Sequence, residues 1–110
     1  MKEFNSKINS VAFKFEEMKV WQRAVDLTVK VHSLTKTFPK EELYVLTSQI
    51  KRDTDSIALN IEEGSIGSTS HQFHVFLSHA LRSAIEVVSC LYIGEMRKLI
   101  IDKDFDGLYE

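Results

Sequence analysis

Three histidines in the second half of the chain are the first residues to consider for metal chemistry. His71 and His74 lie three positions apart, and His79 follows about one helical turn later. A zinc site needs three or four converging ligands at matched spacing, and the single cysteine, Cys90, is far from this group. A di-iron bundle site needs Glu-x-x-His pairs, and none of the ten glutamates has a histidine three positions later. We therefore expect no metal, and interpret the histidines as exposed or capping side chains.

The sequence also lacks residues that other kinds of catalytic site require. Cys90 falls in an apolar helical segment without a histidine at helical spacing, so we interpret it as a small buried hydrophobe. The sequence GSIGS at residues 64–68 has two glycines but lacks the lysine and the preceding strand of a phosphate-binding loop. Asp53 and Asp55 are two apart on a predicted helix and do not face each other. The sequence predicts no enzyme activity, no cofactor and no small-molecule substrate.

Polar side chains recur at steps of three and four along one predicted helix. They are Gln49, Arg52, Ser56, Asn60 and Glu63, and they run beside an apolar row made of Leu43, Leu46, Ile50, Ile57 and Ile61. Together with Ser83 and Glu86 on the next helix, this polar stripe either forms an internal network that fixes helix register or lines a surface used by a partner. We favour the internal network. For Arg52 the alternatives are a carboxylate partner inside the stripe and a phosphate contact.

Basic residues offer a second candidate function, which is nucleic-acid binding. The candidate phosphate contacts are Lys19, Arg23, Lys30, Lys51, Arg97 and Lys98. The net charge of -2 argues against a strongly basic protein, but the charge is uneven. Residues 1–52 hold ten Lys or Arg against six Asp or Glu, whereas residues 53–110 hold four against ten. This asymmetry supports head-to-tail association or a locally basic rim, although a solvated mixed surface is the ordinary interpretation.

Three long helices must position these residues. The first is predicted from about Lys19 to Thr37, and Phe38-Pro39 ends it because the residue before proline disfavours helix. Its apolar seam is Val20, Ala24, Leu27, Val31, Leu34 and Phe38, widened by Trp21, Val25 and Val29. The second helix is predicted over residues 40–63, with Pro39 suited to its first position and Gly64 as a left-handed cap. Thr69-x-x-Gln72 is a capping box that opens the third helix, which is apolar on more than one side.

The fold class that follows is all-α, an up-down antiparallel four-helix bundle with a short or truncated fourth helix after Ile101. We divide the 110 residues into an extended arm, residues 1–15, and a single helical domain, residues 16–110. An incomplete bundle leaves apolar surface exposed, so a homo-oligomer is expected. With one cysteine, no signal peptide and no stretch judged able to span a bilayer, the sequence predicts a cytoplasmic protein.

The chain resembles the four-helix-bundle family that includes the 23S ribosomal RNA intervening-sequence proteins and the accessory variability proteins of diversity-generating retroelements. The resemblance covers about residues 15–100. It is carried by Val20-Trp21-Gln22, Leu34-Thr35, Phe38-Pro39, Gln49, Arg52, Ser56-Ile57, Asn60-Ile61, Glu63-Gly64, Phe73, Phe76-Leu77, Ala80, Ser83 and Glu86. In departure from the family pattern, acidic residues at Asp53 and Glu62 stand near positions that are usually small, and Arg82 replaces a common glycine.

The resemblance implies a small cytoplasmic bundle that assembles into a homopentamer and has no known enzymatic activity. Retroelement members bind nucleic acid through a basic surface and associate with a reverse transcriptase. RNA and a reverse transcriptase are therefore the partners that the resemblance implies for this chain.

Overall fold

The computed structural model describes residues 14–66 and 69–100, and within them the chain is helical without a strand. The long helices are α1 (Lys19–Thr35), α2 (Ser48–Ser65) and α3 (Ser70–Met96), and the short elements are 3-10 turns at Lys14–Glu17 and Lys40–Glu42 and a π turn at Leu43–Thr47. The all-α prediction is confirmed. The predicted fourth helix, and all but the last two residues of the predicted arm, lie outside the described residues.

Helix α2 lies at the centre of the described structure. It packs along both α1 and α3, whereas α1 and α3 do not pack along each other. Gly64 at the end of α2 faces Phe73 and Phe76 near the start of α3, and Glu42 before α2 is paired with Arg97 after α3. Neighbouring helices α2 and α3 are therefore antiparallel, as an up-down bundle requires.

The core is formed by apolar residues at helical spacing. It contains Trp21, Ala24, Val31, Leu34, Phe38, Leu46, Ile50, Ile57, Ala58, Ile61, Ala80, Val87, Cys90, Leu91 and Ile100. Val20 of the predicted α1 seam and Val29 of its predicted edge are exposed instead. Among the described helices, α2 is the one packed along α1, and Val20 and Val29 lie outside the stripe that α2 covers.

Helix α1 ends two residues earlier than predicted. The hydroxyls of Thr35 and Thr37 donate to the carbonyls of His32 and Leu34, at 3.0 and 2.7 Å. The Leu34 carbonyl also accepts a hydrogen bond from the Thr37 amide at 3.1 Å, so both the hydroxyl and the amide of Thr37 close the end of the helix. Pro39 then adopts the extended conformation, with φ -60° and ψ 151°, and precedes the 3-10 turn rather than occupying a first helical position.

The predicted second helix is one helical path with three hydrogen-bond patterns. The 3-10 turn and the π turn precede α2, and the π turn widens the helix by one residue per turn. The widening breaks the period of the predicted apolar row, because Leu46 is buried while Leu43 is exposed. The placement of Leu43 in the core stripe is therefore wrong.

Gly64 is not a left-handed cap, which corrects the sequence prediction. No glycine among the described residues has a positive φ, and Gly64 lies inside α2. A Cβ on Gly64 would lie 2.9 Å from Phe73 Cδ1 and 3.0 Å from Phe76 Cβ. The glycine is needed for the close approach of α2 and α3 rather than for its backbone freedom.

The start of α3 agrees with its predicted cap. Thr69 is extended, with φ -134° and ψ 155°, and its hydroxyl accepts a hydrogen bond from the Gln72 amide at 3.1 Å. This bond satisfies one of the amides that a helix start leaves without a carbonyl partner. The cap places the 27 residues of α3 along α2, with Ser83 and Glu86 near the middle of the contact.

Candidate functional site

Part of the polar stripe bridges α2 and α3. The Ser83 hydroxyl donates to the Ser56 hydroxyl at 3.0 Å, and the Asn60 amide donates to the same oxygen at 2.9 Å. Asn60 also donates to the Ser56 carbonyl at 2.8 Å. Ser83 is buried and the other two are half-buried. Sliding one helix past the other would break the serine contact, so this cluster opposes a change of register.

A pair of carboxyl groups lies in the same contact, toward the start of α2. Asp53 is only 5% exposed and accepts a hydrogen bond from the Gln49 amide at 2.9 Å. A hydrogen bond to Asp53 and the charge of that carboxylate raise the pKa of Glu86, while the Arg82 guanidinium acts in the opposite direction. The two carboxyl groups therefore interact, with Asp53 buried and Glu86 exposed.

Asp53 is the residue that sequence reasoning missed. The predicted stripe does not include it, although Gln49, Asp53, Ser56 and Asn60 are spaced four, three and four apart. That spacing is a better match to one helix face than the spacing through Arg52. The periodicity alone could have placed Asp53 in the contact with α3.

The chemistry available to this cluster is limited. Cys90 is buried next to the carboxyl pair, and burial together with the charges of Asp53 and Glu86 raises the pKa of its thiol. A thiol held in its neutral form is a poor nucleophile. Within residues 14–66 and 69–100, no group of three or more His, Cys, Asp or Glu side chains is placed to hold a metal. The arrangement is suited to joining two helices.

The two ends of the predicted stripe do not join this cluster. Arg52 is exposed, and its guanidinium contacts the Ser48 hydroxyl at 3.5 Å. Neither ion pair of the described part of the chain includes Arg52. Glu63 is exposed on the last turn of α2. Of the predicted stripe, then, the structure joins Ser56 and Asn60 to Ser83 of α3. Gln49, Arg52 and Glu63 are exposed, and Gln49 contacts Asp53 on its own helix.

The six candidate nucleic-acid contacts do not form one patch. Lys19 and Arg23 lie at the start of α1, which is about 25 Å long at 1.5 Å per residue. Arg97 and Lys98 lie at the opposite end of the molecule, after α3, and Lys51 lies in the first turn of α2 at that same end. Lys30 is paired with Asp26 at 3.6 Å, and Arg97 with Glu42 at 3.1 Å.

Charge is nevertheless separated between the two ends of the helices. Among the described residues, counted as far along α2 as Arg52, the end that contains the π turn carries six cationic side chains, Lys36, Lys40, Lys51, Arg52, Arg97 and Lys98, against the three acids Glu41, Glu42 and Glu95. We call it the basic end, and Asp53 and Asp55 follow next on α2. The opposite end carries Lys19 and Arg23 against Glu16, Glu17, Glu62 and Glu63. A polyanion would be attracted to the basic end.

Helix α3 has a second apolar face that no described residue covers. Leu81, Ile85 and Met96 follow one another at steps of four and eleven, and all three are exposed. We call these residues the α3 outer stripe. Exposed apolar residues that share one face of a helix form a candidate interaction surface. The stripe is the clearest candidate interaction surface on the side of the molecule.

Its two apolar faces also make α3 long and apolar enough to cross a membrane by length and composition alone. By this measure α3 is an exception to the expectation that no stretch of the chain could span a bilayer, and that expectation stays a prediction. Core helices of soluble proteins pass the same test, so the finding is weak evidence for a membrane segment. Arg82 and Glu86 lie near its middle, where charged groups are costly in a bilayer.

The fold and these surfaces define a class of protein, a helical bundle whose described helices present polar interhelical contacts and exposed interaction faces. Comparison with protein families gives the particular family. The model of the 23S rRNA-intervening sequence protein family matches residues 16–110, and the chain belongs to that family. The resemblance seen in the sequence is thereby confirmed. A search of the curated proteins finds no match.

Proposed function

We propose that this protein is a non-enzymatic, oligomeric, cytoplasmic binding protein whose target is RNA. The observation that carries the proposal is the separation of charge along the helices. Six cationic side chains share the basic end, although the whole chain has a net charge of -2. Among the described residues, Lys51 and Lys98 make no ion pair, so their charges are available to phosphate.

Self-association is the second part of the proposal, and the α3 outer stripe supports it. Ile85, at the middle of the stripe, is 61% exposed, and Leu81 beside it is 63% exposed. Burying such residues against a second copy would stabilise an oligomer by roughly 25 cal/mol per Å² of apolar surface. Family resemblance implies a homopentamer, and we propose that state here.

The two parts depend on each other energetically. A single basic end offers only a few phosphate contacts, and each contact contributes modestly to affinity at physiological salt. An oligomer repeats the basic end once per subunit and so multiplies the contacts available to one RNA molecule. RNA binding is therefore expected to weaken when the oligomer is broken.

The RNA part is tested by an electrophoretic shift with structured RNA at low and high salt. Lys51→Gln and Lys98→Gln should each reduce the dependence of log affinity on log salt by about 1. Lys19→Gln and Arg23→Gln, at the opposite end, are the matched controls and should leave it unchanged. If the wild-type protein gives no shift at low salt, RNA binding is refuted, and a purely structural self-assembling subunit without nucleic-acid affinity becomes the function.

The oligomer is tested by light scattering at micromolar concentration. Ile85→Lys should lower the measured mass by placing a charge in the α3 outer stripe. Val29→Lys is the matched control, because Val29 is 59% exposed but lies on α1 outside the stripe. A wild-type monomer, or equal masses for the two variants, would contradict this assignment of the interface.

A nucleic-acid-processing protein, such as a reverse transcriptase, is the alternative partner. It would use the same basic end only if it presented a complementary acidic surface. The genomic neighbourhood separates the cases. A ribosomal RNA gene around the coding sequence supports the RNA target, and an adjacent reverse transcriptase gene supports the protein partner.

A further inference from the structure

An open cleft lies at the basic end, where the π turn meets α2. It has a volume of about 260 Å³ and is lined by Leu43, Tyr44, Thr47, Ser48 and Lys51. This is slightly smaller than the roughly 300–1,000 Å³ typical of ligand pockets, so the cleft is suited to a small planar group rather than to an enclosed substrate.

The π turn determines which side chains line the cleft. It directs Leu46 and Thr47 into the core and leaves Tyr44 at the surface with 89% of its area exposed. Tyr44 is the most exposed of the large hydrophobic residues in the described part of the chain. Such π turns are uncommon and frequently occur at functional sites. An exposed aromatic ring on such a turn can stack on a planar group of a ligand.

The groups around the ring match the parts of one nucleotide. An exposed aromatic face stacks on any unpaired base, and stacking of this kind is tolerant of sequence. The Lys51 ammonium and the Ser48 hydroxyl line the same cleft and can donate to a phosphate. The Arg52 guanidinium, 3.5 Å from the Ser48 hydroxyl, adds a second positive charge next to the cleft.

Electrostatics favour the same class of ligand. The cleft lies at the basic end, where the described cations of that end exceed the described acids by three, and Glu42 is already paired with Arg97. An acidic peptide would also be attracted to the cations, but most of its side chains could not stack on the Tyr44 ring. An apolar segment of another protein would leave the Lys51 ammonium next to an uncharged surface.

We propose that the cleft of Tyr44, Ser48 and Lys51 binds one unpaired nucleotide of single-stranded RNA. The base stacks on the Tyr44 ring, and Lys51 and Ser48 hold its phosphate. This inference rests on the proposed RNA-binding function and adds to it a preference for unpaired bases, located at residues that the sequence motifs did not single out, apart from Lys51.

The test is fluorescence anisotropy with a labelled single-stranded RNA of about 12 nucleotides and a duplex of equal length. Tyr44→Ala should weaken single-stranded binding at least about fivefold, and Tyr44→Phe should keep it within about twofold because the ring face is retained. Tyr44→Leu should be as weak as Tyr44→Ala, since it restores apolar area without an aromatic face. Val45→Ala is the control. Val45 lies on the same turn and is 58% exposed, and this variant should bind like the wild type.

Duplex RNA and salt dependence separate the roles further. Binding of the duplex should be unchanged in Tyr44→Ala, because paired bases cannot reach the ring. Lys51→Gln should reduce the salt dependence of log affinity by about 1, whereas Tyr44→Ala should leave that dependence unchanged.

Three outcomes would overturn the inference. If Tyr44→Ala binds single strands like wild type while wild type binds RNA, the stacking site is wrong and the proposed function stands. If Tyr44→Ala lowers the mass in light scattering and weakens single and double strands alike, Tyr44 is a subunit contact. If wild type binds neither RNA at low salt, the stacking site and the proposed function fail together.

Discussion

Lys98 occupies a backbone conformation that a glycine would adopt more easily. Its φ is 62°, the only positive φ among the described non-glycine residues. The Lys98 amide donates to the Glu95 carbonyl at 2.9 Å, and the Leu99 amide donates to the Gly94 carbonyl at 2.8 Å. This is the hydrogen-bond pattern of a Schellman motif, in which glycine is usual at the left-handed position. The motif turns the chain so that Ile100 is buried against Gly94.

Replacing Lys98 with glycine should therefore stabilise the protein. A left-handed conformation costs a residue with a Cβ about 1–2 kcal/mol. Glycine removes that cost but loses about 0.5–1 kcal/mol through its greater freedom in the unfolded chain. The net gain expected for Lys98→Gly is about 0.5–1 kcal/mol, which raises the Tm by about 2–5 °C for a domain of this size.

Thermal and urea unfolding followed by circular dichroism measure this gain. Lys98→Ala is the matched control, because it removes the charge but keeps the Cβ, and it should give no gain. High salt screens the charge difference and should leave the gain of the glycine variant intact. If Lys98→Gly is no more stable than Lys98→Ala, the left-handed conformation does not carry the assigned cost, and the reasoning is refuted.

Three further variants test the contact between α2 and α3. Because Asp53 raises the pKa of Glu86, the stability from protonated Glu86 is present below its ordinary pKa of 4.5 and is lost as pH rises through the raised value. Glu86→Gln should flatten this loss in Tm measured from about pH 4 to 8, and Glu63→Gln should not; parallel profiles for wild type and Glu86→Gln would contradict the pairing. Gly64→Ala should destabilise by about 1 kcal/mol in urea unfolding, since overpacking costs about 1–3 kcal/mol against a helix-propensity gain of about 1, and a more stable variant would disprove the close approach. Ile50→Ala, at a fully buried position, should cost about 2–5 kcal/mol in the same assay, and a loss below about 1 kcal/mol would show that the site is not enclosed.

Local signals were sufficient to predict the long helices. The Thr69 cap lies at the predicted position, and proline follows α1 within four residues of its end. These signals act through the chain within a few residues, so the sequence displays them directly. The all-α class follows from them and from the apolar period.

Features that depend on a neighbouring helix were not predicted. Glycine is common at helix caps, so the sequence suggested a cap at Gly64. In the structure Gly64 leaves room for Phe73, which is nine residues away in sequence. The π turn changes the hydrogen-bond register, which a 3.6-residue period cannot represent. Tyr44 is therefore exposed although it lies in a continuous apolar run.

For the polar stripe, the sequence supplied the helix face but not the partners. Its period places Ser56 and Asn60 on one side of α2, and the contact with Ser83 depends on how α2 and α3 are docked. Asp53 fits the same period, yet its charge suggested solvent. The hydrogen bond from the Gln49 amide offsets part of the cost of burying its carboxylate.

The two carboxyl groups also restrict where the proposed RNA binding could occur. Asp53 is buried on α2 and Glu86 is exposed on α3, and a phosphate chain following the polar stripe would be repelled by both. Phosphates are favoured instead at the basic end, next to Tyr44 and Lys51. Ile85, in the α3 outer stripe, lies away from that end near the middle of the helix. The stripe also extends to Met96, next to Arg97 at the basic end, so the proposed subunit contact would lie beside the proposed RNA contacts but on a different helix from the cleft.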